Sequence, residues 1–226
     1  MTDRVPCQRR RSTDPATPND QYYLLERKLF SSITRAIEQY IGGAVLDLGC
    51  GNKPYRGWIR PRSSLYVGTD IVQSDEQMVD VLASVYRLPF PDGAFNGVLC
   101  TEVLEHTERP HDVLSEVARV LAPDGVAIVT SPQYFAYHEA PFDFYRYTTF
   151  GLRYLAESNG FEVIAASHNG GNWAILGVTI ISMLPRGMVF MGILRRCINR
   201  VCAYFDDRFP TQDNAMGQFL ALRKKR

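Results

Sequence analysis

The chain has 226 residues, 46% of them hydrophobic and 12% aromatic, which is enough for one sizeable core and short for two full domains. Lys plus Arg number 25 against 24 Asp plus Glu, and a formal net charge of +1 argues against a protein that coats nucleic acid. The apolar content excludes general disorder, and five cysteines without a CxxC pair exclude a disulfide scaffold and a zinc-type spacing, so no metal is expected.

Residues Met1 to Asp20 carry Arg4, Arg9, Arg10 and Arg11 with no apolar stretch behind them. A secretory signal needs that stretch, so a cytoplasmic protein is expected, with residues 1–20 as a disordered tail and 21–226 as a single domain. Tyr22, Leu25, Leu29, Ile33, Ile37 and Tyr40 recur at helical spacing, predicting an amphipathic helix from Gln21 to Ile41 that Gly42-Gly43 stops. Ala44 to Leu48 is a short apolar run that ends in Gly49-Cys50-Gly51, the pattern of a buried strand and a tight turn. Further strands are predicted at Leu65–Asp70, near Met78–Leu82, and at Gly97–Cys100. Pro110 opens a helix carrying Val113, Leu114, Val117 and Leu121. After the Pro123-Asp124-Gly125 turn, Val126–Thr130 reads as a fifth strand. Thr148 or Thr149 caps a helix that stops at Asn159-Gly160, and Phe161–Ala166 is a sixth strand. The alternation then breaks at an apolar and basic insertion, 169–212, before a last strand at Gly217–Leu222.

Strands alternating with helices predict an α/β fold, a Rossmann-like three-layer sandwich. Its sheet is mostly parallel and seven-stranded, with a helical insertion before the last strand. Such sheets bind ligands beyond the carboxyl ends of their strands. Gly49 and Gly51 let ligand atoms approach the backbone. Asp70 ends the next strand, where a carboxylate can accept both ribose hydroxyls. A dinucleotide site wants a third glycine in GxGxxG, and that position is Pro54; the phosphate loop GxxxxGK[ST] is absent too. A nucleoside cofactor without phosphates, S-adenosylmethionine (SAM), fits better, with Asp47 placed to hold a cationic amino group.

With these residues in place, the sequence resembles a class I SAM-dependent methyltransferase of the type 11 family, roughly from Val45 to Val163. The resemblance rests on ordered segments. They are Val45–Gly51, Gly68–Ile71, Leu88–Phe95, Glu102-Val103-Leu104-Glu105-His106 and Glu116–Gly125, followed by His138–Thr148. It implies that Asp47, Gly49, Cys50 and Gly51 line the methionine part of SAM, that Asp70 binds the ribose, and that Ile71 packs on the adenine. Ser84, with Val85 beside it, stands where the family commonly offers an Asp to the adenine. Thr101 and Glu102 would border the sulfonium. Asn96 also departs from the family's Asp, at a position read as structural.

Methyl transfer needs alignment and water exclusion first, and a base only if the acceptor starts protonated. His106, His138 and Asp143 are the candidate proton acceptors, and Glu139, Tyr145 and Arg146 the candidate acceptor contacts. Read alone, His106 is more often a hydrogen-bonded structural residue. The expected function is methyl transfer to a small-molecule, lipid or saccharide acceptor. Rival readings are a non-catalytic SAM-binding sensor or partner subunit, and an NAD-dependent oxidoreductase. The insertion reads as a lid, a homodimer contact, or, through 173–205, a peripheral membrane contact at the inner face.

Overall fold

The computed structural model describes residues 16–185, 189–211 and 213–226. Most of the tail expected over 1–20, and the Arg186-Gly187 break in the insertion, lie outside the described residues. Helix α1 (Tyr23–Tyr40) buries Leu25, Leu29, Ile33 and Ile37 along one stripe. It leads into β1 (Gly43–Leu48), where Gly43 takes a φ of +70°. The chain then forms α2 (Arg56–Ile59), β2 (Ser63–Asp70), β3 (Val81–Leu82), β4 (Phe95–Thr101), α3 (Pro110–Val120) and β5 (Leu121–Pro132). It ends with α4 (Thr149–Ser158), β6 (Phe161–Asn169), α5 (Asn172–Met183), α6 (Val189–Arg208) and β7 (Gly217–Lys224).

The seven strands form one sheet in the order β3-β2-β1-β4-β5-β7-β6. The first five run parallel, and β7 inserts antiparallel between β5 and β6. Period-two alternation decides the two faces. Leu46, Leu48, Val98 and Cys100 pack with α3 and α4, whereas Val45, Leu99, Ile128 and Phe219 pack with α1. A one-residue slip would swap the faces of β1 and turn Asp47 into the α3 side. Asn96 Oδ1 accepts the Ala44 amide at 2.9 Å, a tie between the starts of β4 and β1.

A third apolar cluster joins Leu24 and Leu25 of α1 to Ala174, Cys202, Ala203 and Met216. It docks the α5–α6 pair on the start of α1. Lys28 Nζ meets the buried Asp206 at 2.6 Å, Arg27 meets Asp207 at 2.7 Å, and Asp206 also accepts the Gly171 amide. Among the described residues, no helix is long and apolar enough to cross a membrane.

All seven strands depart from their predicted bounds by at least one residue, and two of the departures have a clear cause. β5 begins at Leu121, because Pro123-Asp124-Gly125 is absorbed as an irregularity opposite Phe95 and Gly97. β3 keeps only Val81–Leu82, paired with the end of β2. The four-residue α2 and the 3-10 turns Arg60–Arg62 and Leu104–His106 were not expected; such short elements carry too few residues for a period.

Candidate active site

A cavity of about 280 Å³ opens beyond the carboxyl ends of β1, β2 and β4. Its floor is the turn after β1. Gly49 adopts a φ of +69° and Gly51 a φ of +50°, in the left-handed region that suits glycine. A Cβ on Gly49 would also sit 2.6 Å from Val103 Cγ2. The amides of Gly49 and Cys50 both donate to Thr69 O, at 2.8 and 3.0 Å, and pin the turn to β2. At the end of β2, the Asp70 carboxylate accepts the Gly51 amide at 3.2 Å and the Ile71 amide at 2.7 Å. Ile71 is half exposed beside it, a flat apolar wall against an acidic ribose-type site.

Asp47 lies beneath the turn, 2% exposed, and Tyr66 Oη donates to its Oδ2 at 2.6 Å. Burial pushes its carboxyl up to about 6, against the opposing pull of Tyr66 and of the Lys53 charge. A second strut lies behind it. Lys53, buried and at a φ of +53°, pairs with Asp80, whose carboxylate also accepts the Gly68 amide at 2.7 Å. Lys53 Nζ stands 4.9 Å from the Tyr66 ring centre. Burial raises the Cys50 thiol well above its usual range, so it packs as a neutral group under the turn.

The opposite end of the cavity is polar. Glu102, at a φ of +55°, takes a hydrogen bond from Thr130 Oγ1 at 2.9 Å. The 3-10 turn that follows brings up Glu105 and His106, and the loop after β5 brings His138 and Glu139 over them. The His106 and His138 rings meet edge to face with centres 4.7 Å apart. The loop is fastened to the turn, since Glu105 O accepts the amides of Phe144 and Tyr145. Burial, with His106 adding to it, holds the His138 imidazole below its usual range.

Every residue expected to contact the cofactor lines this cavity: Asp47, Gly49, Cys50, Gly51, Asp70, Ile71, Ser84, Val85, Thr101 and Glu102. His106, His138 and Glu139 line it as well. Asp143, Tyr145 and Arg146 lie behind the wall. Arg146 grips Asp143 with two hydrogen bonds of 2.6 and 2.8 Å, and Asp143 accepts the His138 amide at 3.0 Å. That pairing holds the Asp143 carboxyl down to about 2, although burial opposes it. Tyr145 Oη donates to Glu108 O at 3.0 Å. The three fasten the loop that carries His138. Ser84 Oγ accepts the Tyr86 amide at 3.3 Å, closing the turn after β3.

Tyr22, just before α1, with Leu25 and Glu26 of α1 closes one side of the cavity; neither these nor Tyr66, Lys53 and Glu105 were expected at the site from the sequence. Tyr22 reads as part of the apolar stripe, and Glu26, four residues on, as an exposed helical residue. Among the described residues none from α5 or α6 lines the cavity; they reach it through Phe135, which lines it and packs on the third cluster.

The sheet order, the glycine turn and the strand-end carboxylate define a class I methyltransferase-like Rossmann fold. Residues 46–129 match the family model of the methyltransferase domain. No curated protein matches the chain in sequence. Among solved structures, it is similar to the [4+2]-cyclase SpnF, with 17% identity, a TM-score of 0.61, and coverage of 97% of this chain and 89% of that one. A SAM-dependent methyltransferase from Archaeoglobus fulgidus shares 16% identity at a TM-score of 0.60, over 90% of this chain and 97% of that one. The 1,6-didemethyltoxoflavin-N1-methyltransferase of Burkholderia thailandensis shares 16% identity at a TM-score of 0.58, over 87% and 76%. These likenesses establish the fold.

Proposed function

We propose that the chain transfers the methyl group of SAM to an oxygen of a small-molecule, lipid or saccharide acceptor. One observation carries the reading: a single cavity joins the glycine turn and Asp70 at one end to His106, His138 and Glu139 at the other. The residues fit the cofactor. Gly49 and Gly51 leave room at the backbone, the buried Asp47 carboxylate suits an amino-acid ammonium, and Asp70 and Ile71 suit a ribose and a base. Bound there, SAM supplies a methyl carbon on a sulfonium, already activated for in-line displacement. The chain's own part is alignment and water exclusion, worth several kcal/mol by effective molarity. His106, His138 and Glu139 form the polar end that orients the acceptor and receives its hydroxyl proton, and the Asp143–Arg146 pair positions His138.

The Burkholderia structure, described with bound 1,6-didemethyltoxoflavin and S-adenosylhomocysteine, supports a small-molecule acceptor. A lipid or lipid-linked acceptor is supported by exposed apolar rows on the insertion. They comprise Leu176, Ile180 and Met183 on α5, and Phe190, Ile193 and Val201 on α6, with Arg196 and Arg200 exposed alongside. The likeness to a cyclase sets the rival, because one fold hosts different chemistry.

Calorimetric titration with S-adenosylhomocysteine, with NAD as the control, is the first test. Micromolar binding of the former alone is expected; binding of NAD alone would restore the oxidoreductase reading. Asp70→Ala should weaken binding about tenfold or more, as loss of a charged hydrogen-bond partner does. Labelled methyl transfer across a panel of hydroxyl acceptors then separates an enzyme from a sensor. Cofactor binding with no turnover on any acceptor would favour the sensor.

A further inference from the structure

Glu105, His106 and His138 converge at the acceptor end, and one ligand-type atom from each lies within 4.8 Å of the others. Glu105 is fully buried. Its Oε2 accepts from Ser131 Oγ at 2.9 Å, whereas its Oε1 is buried and accepts no hydrogen bond. A buried carboxylate oxygen without a donor is costly, and either a proton or a bound cation removes that cost. His106 Nδ1 lies 2.7 Å from Phe142 O. A carbonyl only accepts, so Nδ1 carries a proton and Nε2 is the nitrogen turned toward the carboxylates. That Nε2 is 3.8 Å from Glu105 Oε1 and 3.8 Å from Glu139 Oε1. His138 Nδ1 lies 3.3 Å from Ala136 O, 3.5 Å from Asp143 Oδ2 and 3.5 Å from Arg146 Nη2, so the fastened loop engages that nitrogen and Nε2 is the other one available to a ligand. An imidazole that gives one N–H to a backbone carbonyl and presents its other nitrogen is arranged as metal-binding histidines are.

We propose that Glu105, His106 and His138 bind a divalent first-row transition cation, with Glu139 beside it and the remaining positions open to the cavity. Two imidazoles and one carboxylate suit zinc or iron(II). Bonds of about 2.0–2.2 Å place neighbouring donors about 3–3.5 Å apart, so side-chain movements of about an ångström close the site. Sequence spacing hides it, because His138 arrives from a loop after another strand. The cation's use rests on the methyl-transfer reading. It takes an oxygen-donor acceptor, such as a vicinal diol or a hydroxy-carbonyl compound. The acceptor's O–H bond breaks, its proton passes to the Glu139 carboxylate, an O–C bond forms, and the C–S bond breaks with its electron pair left on sulfur. No redox change is involved.

The test uses the full chain, stripped with chelator and titrated with cobalt(II) chloride, read by visible absorption. Saturable uptake of one equivalent is expected, with ligand-field bands. His106→Gln and His138→Gln should each weaken uptake at least about tenfold, since even outer partners of a metal site cost that much. The metal-free variants should melt with the parent chain. No saturable uptake, or uptake unchanged in both variants, overturns the site. Uptake lost in both variants, but with no cobalt- or zinc-dependent methyl transfer, keeps the site and removes only the use assigned to it.

Discussion

On the proposed reading, the buried Asp47 carboxyl couples cofactor binding to pH. That carboxyl is raised to about 6 by desolvation first, with Asp70 and Asp80 adding to the rise and Tyr66 and Lys53 opposing it. Because the folded value lies above the unfolded one, the stability linked to Asp47 is fully present below the unfolded value of 3.8 and is lost as pH rises through about 6. A cationic amino group restores it by favouring the ionised form. S-adenosylhomocysteine affinity is therefore expected to be level above about pH 6 and to fall toward tenfold per unit below it. Asp47→Asn should bind more weakly and lose this dependence; a dependence that persists in the variant would place the titrating group elsewhere. Tyr66→Phe should move the fall to higher pH, since the Tyr66 hydrogen bond lowers the Asp47 value. Asp47 was legible because it precedes the glycine turn at a strand end. Tyr66 was not, because its place beside Asp47 follows from the β1–β2 register, which pairs Val45 with Tyr66. Glu105 was hidden for a similar reason: it sits in a three-residue turn, and only the folded loop shows that the carboxylate is buried.

At the scale of elements, the strands were legible as apolar runs punctuated by Gly49-Cys50-Gly51, Pro91-Asp92-Gly93 and Asn159-Gly160. The position of β7 was not, because an antiparallel strand between β5 and β6 is a property of the whole sheet. The insertion read as an apolar stretch, and the structure adds what anchors it. A Cβ on Gly177 would meet Leu24 Cδ1 at 2.4 Å and Cys202 Sγ at 2.9 Å, so α5 approaches α1 and α6 closely there. These contacts are with side-chain ends, which can shift at a cost. Gly177→Val should destabilise by about 1–3 kcal/mol through overpacking, lowering the melting temperature by about 2–4 °C per kcal/mol. A melting temperature equal to the parent's would mean that the contact is not confining.

The whole molecule is asymmetric. One end of the sheet holds the cavity, and the α5–α6 pair beside it carries the exposed rows described above. Trp173 stacks on Phe205 at 4.8 Å, linking the two helices near the start of α5. If an anionic lipid surface is the partner of those rows, the chain should co-sediment with phosphatidylserine-containing vesicles and less with zwitterionic ones. Raised salt should weaken the association, because Arg196 and Arg200 supply its electrostatic part. Absence of vesicle binding, together with a dimer in sedimentation equilibrium, would assign the rows to a second copy.

Of the described cysteines, Cys50, Cys100 and Cys202 are buried and Cys197 is exposed, on the same helix as those rows. After Cys7→Ser, a thiol-reactive fluorophore should therefore label the chain at a single position. An environment-sensitive dye there becomes a real-time reporter of what covers α6, with a blue shift on lipid and resonance transfer between differently labelled copies on self-association.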